Sequence, residues 1–312
     1  MAPVARYAAS PMAPPTIEQV IDAIPGWRGR DVSTSPIVRG LTNQNHRVVV
    51  DHTPYFVRIP GAATELLAVD RANELRNTRA AAAAGVGPHV VHHLPAWNVI
   101  VLEWLAGRTM SNAAFGERGM APRIAGALRM LHHGPRFRDD FDMFRLTERY
   151  LRLVYERSMP VPAGYRDGID VVPRIEAALR AQPLPSVPCH NDLLAENYLD
   201  DGVRLWIVDY EYSGNNDPTF ELGNTAQELG FDDDLQAELC AAYFGRSTTA
   251  LLARMRLQMI MSDVGWTLWA AIQARISPID FDFWGWAEER WARAESKIGG
   301  PAFAGWLRDA AG

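Results

Sequence analysis

Apolar positions change their spacing along the chain. Up to about residue 105 they fall mainly in runs of strand length; beyond it they recur at the three-to-four spacing of helices. A short helix is expected over 17–24, then strands over 36–41, 46–50 and 55–59. Residues 64–84 read as one long helix, because the stretch is rich in alanine and stops at Gly85. Strands over 89–94 and 98–104 complete a five-stranded antiparallel sheet. Helices follow over 121–132, 145–157 and 171–181, and from 220 almost to the end. Strands first and helices after predict an α+β fold, with a small sheet-bearing N-terminal part and a larger helical C-terminal part.

The densest cluster of candidate chemistry interrupts the helical half. Cys189-His190-Asn191-Asp192 is followed by Asn197, and then by Asp209-Tyr210-Glu211. Residues 197–199 and 203–208 are strand-like, and Asp200-Asp201-Gly202 between them suits a hairpin turn. A hairpin carries Asn197 on one arm and Asp209 on the other, near enough to share a hard cation through oxygen ligands. Asp192 precedes it on a loop. A carboxylate to orient and deprotonate an acceptor, plus two oxygen ligands for Mg2+, is what phosphoryl transfer from ATP requires. Either motif alone is ordinary turn chemistry; their order and the D-x-x-x-x-N spacing parallel the catalytic and metal loops of kinases and point to a bilobal, protein-kinase-like fold.

Composition narrows the classes. At 312 residues and 48% hydrophobic content, the chain is long enough for two lobes of an ordinary globular protein. A net charge of −6 speaks against nucleic-acid binding, which depends on Lys and Arg neutralising phosphates. No run of about 18 apolar residues marks a membrane span, so membrane insertion is not expected. Two cysteines, Cys189 and Cys240, make neither a disulfide framework nor a zinc cluster and suit a reducing, cytoplasmic setting. Cys189 beside His190 suggests a thiol nucleophile only until the acidic motifs are read with it. The pairs His92-His93 and His132-His133 lack ligand partners at metal spacing and are assigned to packing or surface.

The only lysine is Lys297. Phosphates gripped from the N-terminal half therefore need arginine, whose planar fork binds two oxygens. Arg58, in the apolar run Tyr55-Phe56-Val57-Arg58-Ile59-Pro60-Gly61, is the candidate. Glu74 is its candidate partner, although without the other motifs a solvated helix charge would be the better account of Glu74. Asn43, in the polar turn from Arg39 to Asn45, is placed to approach phosphates; one glycine there also fits a plain hairpin. Glu103 and Leu105, where the chain leaves the sheet, are placed to meet adenine by analogy with kinases. The expected division is a disordered tail over 1–15, a nucleotide-binding lobe over 16–105 and a catalytic, substrate-binding lobe over 106–312.

The chain resembles the choline/ethanolamine kinase family, within the aminoglycoside phosphotransferase and protein-kinase-like superfamily, from about Gly40 to its end. The residues that carry the likeness are His190-Asn191-Asp192 with Asn197, Asp209-Tyr210-Glu211, and Val57-Arg58-Ile59-Pro60-Gly61. Added to these is Gly265-Trp266-Thr267-Leu268-Trp269-Ala270-Ala271-Ile272-Gln273-Ala274, similar to the family's W-x-L-W-x-x-x-Q-A helix. Trp266, Trp269 and Gln273 share one helical face. By spacing alone, paired tryptophans more often form a core than a ligand cage.

The resemblance implies a cage for a methylated cation, walled by Trp266, Trp269, Tyr212 and Trp286, with Gln273 alongside and Glu211 and Glu228 supplying negative field. Trp286 stands where the family carries tyrosine. It also implies ATP and Mg2+ as cofactors, Asp192 as the acceptor-orienting group, and choline as the leading small-molecule acceptor. Ethanolamine, another amino alcohol, an aminoglycoside, or a nucleotide-binding pseudokinase without turnover are the alternatives.

Overall fold

The computed structural model describes residues 14–37, 40–61 and 64–312. Most of the expected tail over 1–15, and Arg39 of the polar turn, lie outside the described residues. The chain divides into two compact units: residues 1–64 with 90–104, and residues 65–89 with 105–312.

The first unit holds α1 (Ile17–Ala23) and a five-stranded sheet of β1 (Val32–Ile37), β2 (Asn43–Val50), β3 (Thr53–Pro60), β4 (Val90–Leu94) and β5 (Val99–Glu103). Its order is β1-β2-β3-β5-β4, antiparallel throughout. Thr16 caps α1 in a reciprocal box with Gln19. Asp51 and His52 both adopt positive φ, which the two-residue turn between β2 and β3 requires. Val20, Ile24 and Trp27 pack on Val48, Val57, Ile59, Val99 and Val101 to form the core of this unit. The polar stretch read as a turn departs from expectation, because Asn43 and Asn45 are paired strand residues opposite Pro60 and Arg58.

A 3₁₀ turn (Thr64–Leu67) spans the boundary at residue 64, and the first helix of the second unit is α2 (Arg71–Ala83). The single helix expected over 64–84 is broken there: Ala68 turns left-handed, and Asp70 restarts the helix by accepting from the backbone N–H of Ala72 and Asn73. There follow β6 (Arg108–Thr109), α3 (Asn112–Phe115), α4 (Met120–His132), α5 (Met143–Glu156), α6 (Tyr165–Gly168) and α7 (Val172–Ala181). Next come β7 (Val187–Cys189), β8 (Tyr198–Asp200), β9 (Leu205–Ile207) and β10 (Gly214–Asn216). The chain closes with α8 (Pro218–Glu228), α9 (Asp233–Phe244), α10 (Thr249–Ile276), α11 (Phe283–Ile298) and α12 (Phe303–Ala311).

Helix α10 is the axis of this unit, nearly continuously buried from Ala253 to Gln273 and packed by α5, α8, α11 and α12. Gly223 of α8 permits one of these contacts, since a Cβ there would sit 2.6 Å from the Met255 carbonyl oxygen. Among the described residues, no helix is long and apolar enough to cross a membrane.

Candidate active site

The hairpin expected over 197–208 is present. Tyr198 pairs with Ile207 and Asp200 with Leu205, and the Val208 N–H donates to the Asn197 carbonyl at 2.9 Å. That last bond fixes the two arms where Asn197 and Asp209 leave the ladder. The Asn197 amide nitrogen donates to the Asp192 carbonyl at 2.7 Å, which ties the candidate metal ligand to the candidate base and leaves the amide oxygen for a cation. Asp209 is held at φ +73°, a left-handed conformation that costs a non-glycine residue about 1–3 kcal/mol and concentrates at functional sites. An amide oxygen and a carboxylate form an all-oxygen donor set, which fits magnesium.

Two side chains that no motif marks hold the candidate catalytic loop. Glu221 of α8 accepts the His190 N–H on Oε1 at 2.6 Å and the Asn191 N–H on Oε2 at 2.7 Å, and it is fully buried. Asn224, one turn on, accepts the Leu193 N–H at 2.7 Å and donates to Ser262 of α10. Asn191, at φ +70°, directs its amide at the carbonyls of Cys189, Tyr212 and Gly214. The His190 ring donates from Nε2 to the Val208 carbonyl at 2.8 Å and meets the Tyr210 ring edge-on. Asp192 thus projects from a loop whose backbone is bonded on both sides of it.

Glu221 also gathers His132 and Cys189, whose ligand atoms lie within 4.8 Å of one another. The sequence offered His132 no such neighbours. Both Glu221 oxygens already accept loop N–H groups, and His132 Nδ1 meets the Tyr243 hydroxyl at 2.6 Å, so the trio anchors the loop. Cys189 is fully buried, and burial and then Glu221 push its thiol well up, which disfavours the thiolate a nucleophile needs.

Of the implied acceptor residues, Glu211, Glu228 and Tyr212 lie within electrostatic reach of Asp192. Burial first, then Glu228, Asp209 and Glu211, push the Asp192 carboxyl well above its ordinary range, against which Arg290 acts. The Tyr212 hydroxyl accepts from Trp269 Nε1 at 2.6 Å, and its ring meets Trp266 edge-on at 4.9 Å. Trp269 in turn meets Trp286 at 5.7 Å and Phe283 at 5.9 Å. Tyr212, Trp266 and Trp269 are buried, and the Trp266 indole N–H lacks a hydrogen-bond partner among the described residues. Gln273 follows one turn after Trp269 on the same helix and is buried.

Both implied carboxylates face guanidinium groups. Arg71 bridges Glu74 at 2.7 Å and Glu211 at 3.1 Å, and Arg290 reaches Glu228 at 2.6 Å. Arg293 lies 3.5 Å from Glu228 and pairs with Asp263, whose carboxyl burial pushes up to about 7.

The remaining expected nucleotide residues divide between the units. Asn43 opens β2, Arg58 lies 5% exposed in β3 opposite Asn45 and Ile100, and Glu103 closes β5 opposite Tyr55. Gly61 is required just after β3, because any Cβ there would collide with the Thr42 carbonyl. Glu74 lies in α2 of the second unit, buried, and Leu105 begins that unit's long segment.

A kinase-like fold with this loop and hairpin defines a phosphotransferase. Residues 33–258 match the Phosphotransferase enzyme family. A solved structure from Mesorhizobium loti, described as a choline/ethanolamine kinase family protein, is 38% identical and superposes with a TM-score of 0.83, covering 94% of this chain and 97% of that one. Mouse ethanolamine kinase 2 is 28% identical over 300 residues, covering 86% of this chain and 77% of its own. Protein LicA of Haemophilus influenzae strain Rd is 27% identical over 243 residues, covering 75% and 90%. The chain belongs to the choline/ethanolamine kinase family of phosphotransferases.

Proposed function

We propose that the protein phosphorylates the hydroxyl of a small amino alcohol with ATP, and that choline is its acceptor. The observation that carries this reading is the crowding at Asp192: three further carboxylates press on it, and an aromatic cluster of Tyr212, Trp266, Trp269 and Trp286 stands in the same unit. A quaternary ammonium donates no N–H bond and is best held by aromatic faces, at about 0.5–2 kcal/mol each. The carboxylates add a field that favours a cation over a neutral alcohol.

In the reaction, Asp192 accepts the hydroxyl hydrogen bond and takes the proton as the oxygen attacks the γ-phosphorus. The bond from that phosphorus to the β-phosphate oxygen breaks, and ADP leaves. A raised proton affinity suits Asp192 to this task. Asn197 and Asp209 would hold magnesium, which supplies charge neutralisation on the phosphates. Asn43, Arg58, Glu74, Glu103 and Leu105 are assigned to the nucleotide, with Arg58 standing in for the lysine this half lacks.

The test is ADP release by purified protein with Mg-ATP and choline, ethanolamine or aminoglycosides, run beside Asp192→Ala. Turnover of choline that is abolished in Asp192→Ala is the expected result. No turnover with any acceptor would refute the proposal; preference for ethanolamine would move the acceptor and keep the reaction. Ethanolamine is the second reading, favoured by the name of the mouse relative.

A further inference from the structure

The carboxylate expected to attract the acceptor's cation already carries one. Arg290 Nη2 donates to Glu228 Oε2 at 2.6 Å, and both side chains are buried, 2% and 5% exposed. The Arg290 Cζ also lies 3.4 Å from the centroid of the Trp286 ring, a stacking distance. Trp286 in turn meets Trp269 of α10. One side chain of α11 thereby joins the carboxylate ending α8 to the aromatic cluster, and it lies within electrostatic reach of Asp192.

We propose that Arg290 is a positioning and specificity-determining residue of the acceptor subsite, fixing the Glu228 carboxylate and the Trp286 indole as one rigid unit against which the acceptor's ammonium is recognised. The inference rests on the amino-alcohol reading above. A buried carboxylate without a counter-ion is costly and turns toward whatever cation it can reach. Here the nearest alternative is Arg293, 3.5 Å away and already committed to Asp263. A guanidinium avoids this outcome because its planar fork donates in-plane to the carboxylate while its face stacks on the indole. Arg290 holds Oε2 while only the longer 3.5 Å contact from Arg293 reaches Oε1, and stacking uses one face of Trp286.

The experiment compares Arg290→Met and Arg290→Lys with wild type, measuring kcat and KM for choline, for ethanolamine and for the neutral choline isostere 3,3-dimethylbutan-1-ol, and KM for ATP. Arg290→Met should raise the choline KM about tenfold to a hundredfold, the scale of a small misplacement in a site, with a smaller change for the isostere and none in the ATP KM. Arg290→Lys, which keeps the charge and loses the stack, should recover part of the choline affinity; it carries the test if Arg290→Met does not fold. Equal effects on choline and isostere, or an unchanged or lower choline KM in Arg290→Lys, would overturn the inference while leaving the amino-alcohol reading intact. A wild type that turns over no amino alcohol would overturn that reading, and this inference with it.

Discussion

Replacing Glu221 by glutamine tests whether the candidate catalytic loop is held from α8. The Glu221 carboxylate accepts two backbone N–H groups at 2.6 and 2.7 Å in a fully buried position. Buried hydrogen bonds to a charged group contribute about 1.5–3 kcal/mol each. Glutamine keeps one acceptor oxygen but turns an NH2 group toward the second N–H, so one bond is lost and a buried donor is orphaned. The expected destabilisation is about 2–4 kcal/mol. For a unit of this size that lowers Tm by roughly 5–15 °C.

Activity should fall further than stability explains. Asn191 sits at φ +70°, and part of what holds it there is the Glu221 clamp on its own N–H. Released, Asn191 relaxes toward negative φ and carries Asp192 with it, and a displacement near 1 Å costs about a hundredfold in rate. Thermal melts paired with steady-state kinetics at a temperature where Glu221→Gln is fully folded separate the two effects. A variant with wild-type Tm and wild-type kcat would refute the clamp; a lowered Tm with intact kcat would leave Glu221 as packing alone.

Two further outcomes follow from the same geometry. Gly223→Ala should destabilise by about 1–3 kcal/mol, the usual cost of overpacking, because its Cβ meets helix backbone at Met255 that no rotamer change relieves; chemical denaturation measures it, and an unchanged midpoint would show that α8 and α10 can separate freely. Arg123→Ala should remove about 1–2 kcal/mol at neutral pH and little at pH 2. Its two bonds to Asp200, at 2.6 and 2.7 Å, hold that carboxyl down to about 2, so the stabilisation is present above the ordinary value near 4 and lost as pH falls through 2. Stability curves of wild type and variant that stay parallel across this window would contradict the assignment.

What could be read from the sequence was whatever sits close together along it. Asn197 and Asp209 were linked by a hairpin whose turn residues are adjacent in the chain, and the Val208 to Asn197 bond realises that link. The W-x-L-W spacing placed Trp266 and Trp269 on one face of α10 for the same reason. The partners that complete the site lie far away: Arg71 is 140 residues from Glu211, Arg290 is 62 from Glu228, and Glu221 is 31 from the loop it clamps. No period or spacing marks such pairs. Local errors had local causes. The alanine-rich composition over 64–84 hid the break at Ala68, although Asp70 is a good N-cap. The exposed edge strand β1 carries little burial alternation, so its position was misread.

The long-range arginines have a common consequence for the chemistry. Glu211 is paired by Arg71, Glu228 by Arg290 and Asp263 by Arg293, so the carboxylates that shape the site have guanidinium partners. Asp192 stands among them and, among the described residues, has no ion pair of its own. A guanidinium bonded to Asp192 would lower its affinity for the proton that a reacting hydroxyl must surrender. Glu228 and Glu211, each held by an arginine, do the opposite together with Asp209, so among the described residues the candidate base is a carboxylate raised in proton affinity and without an ion pair of its own.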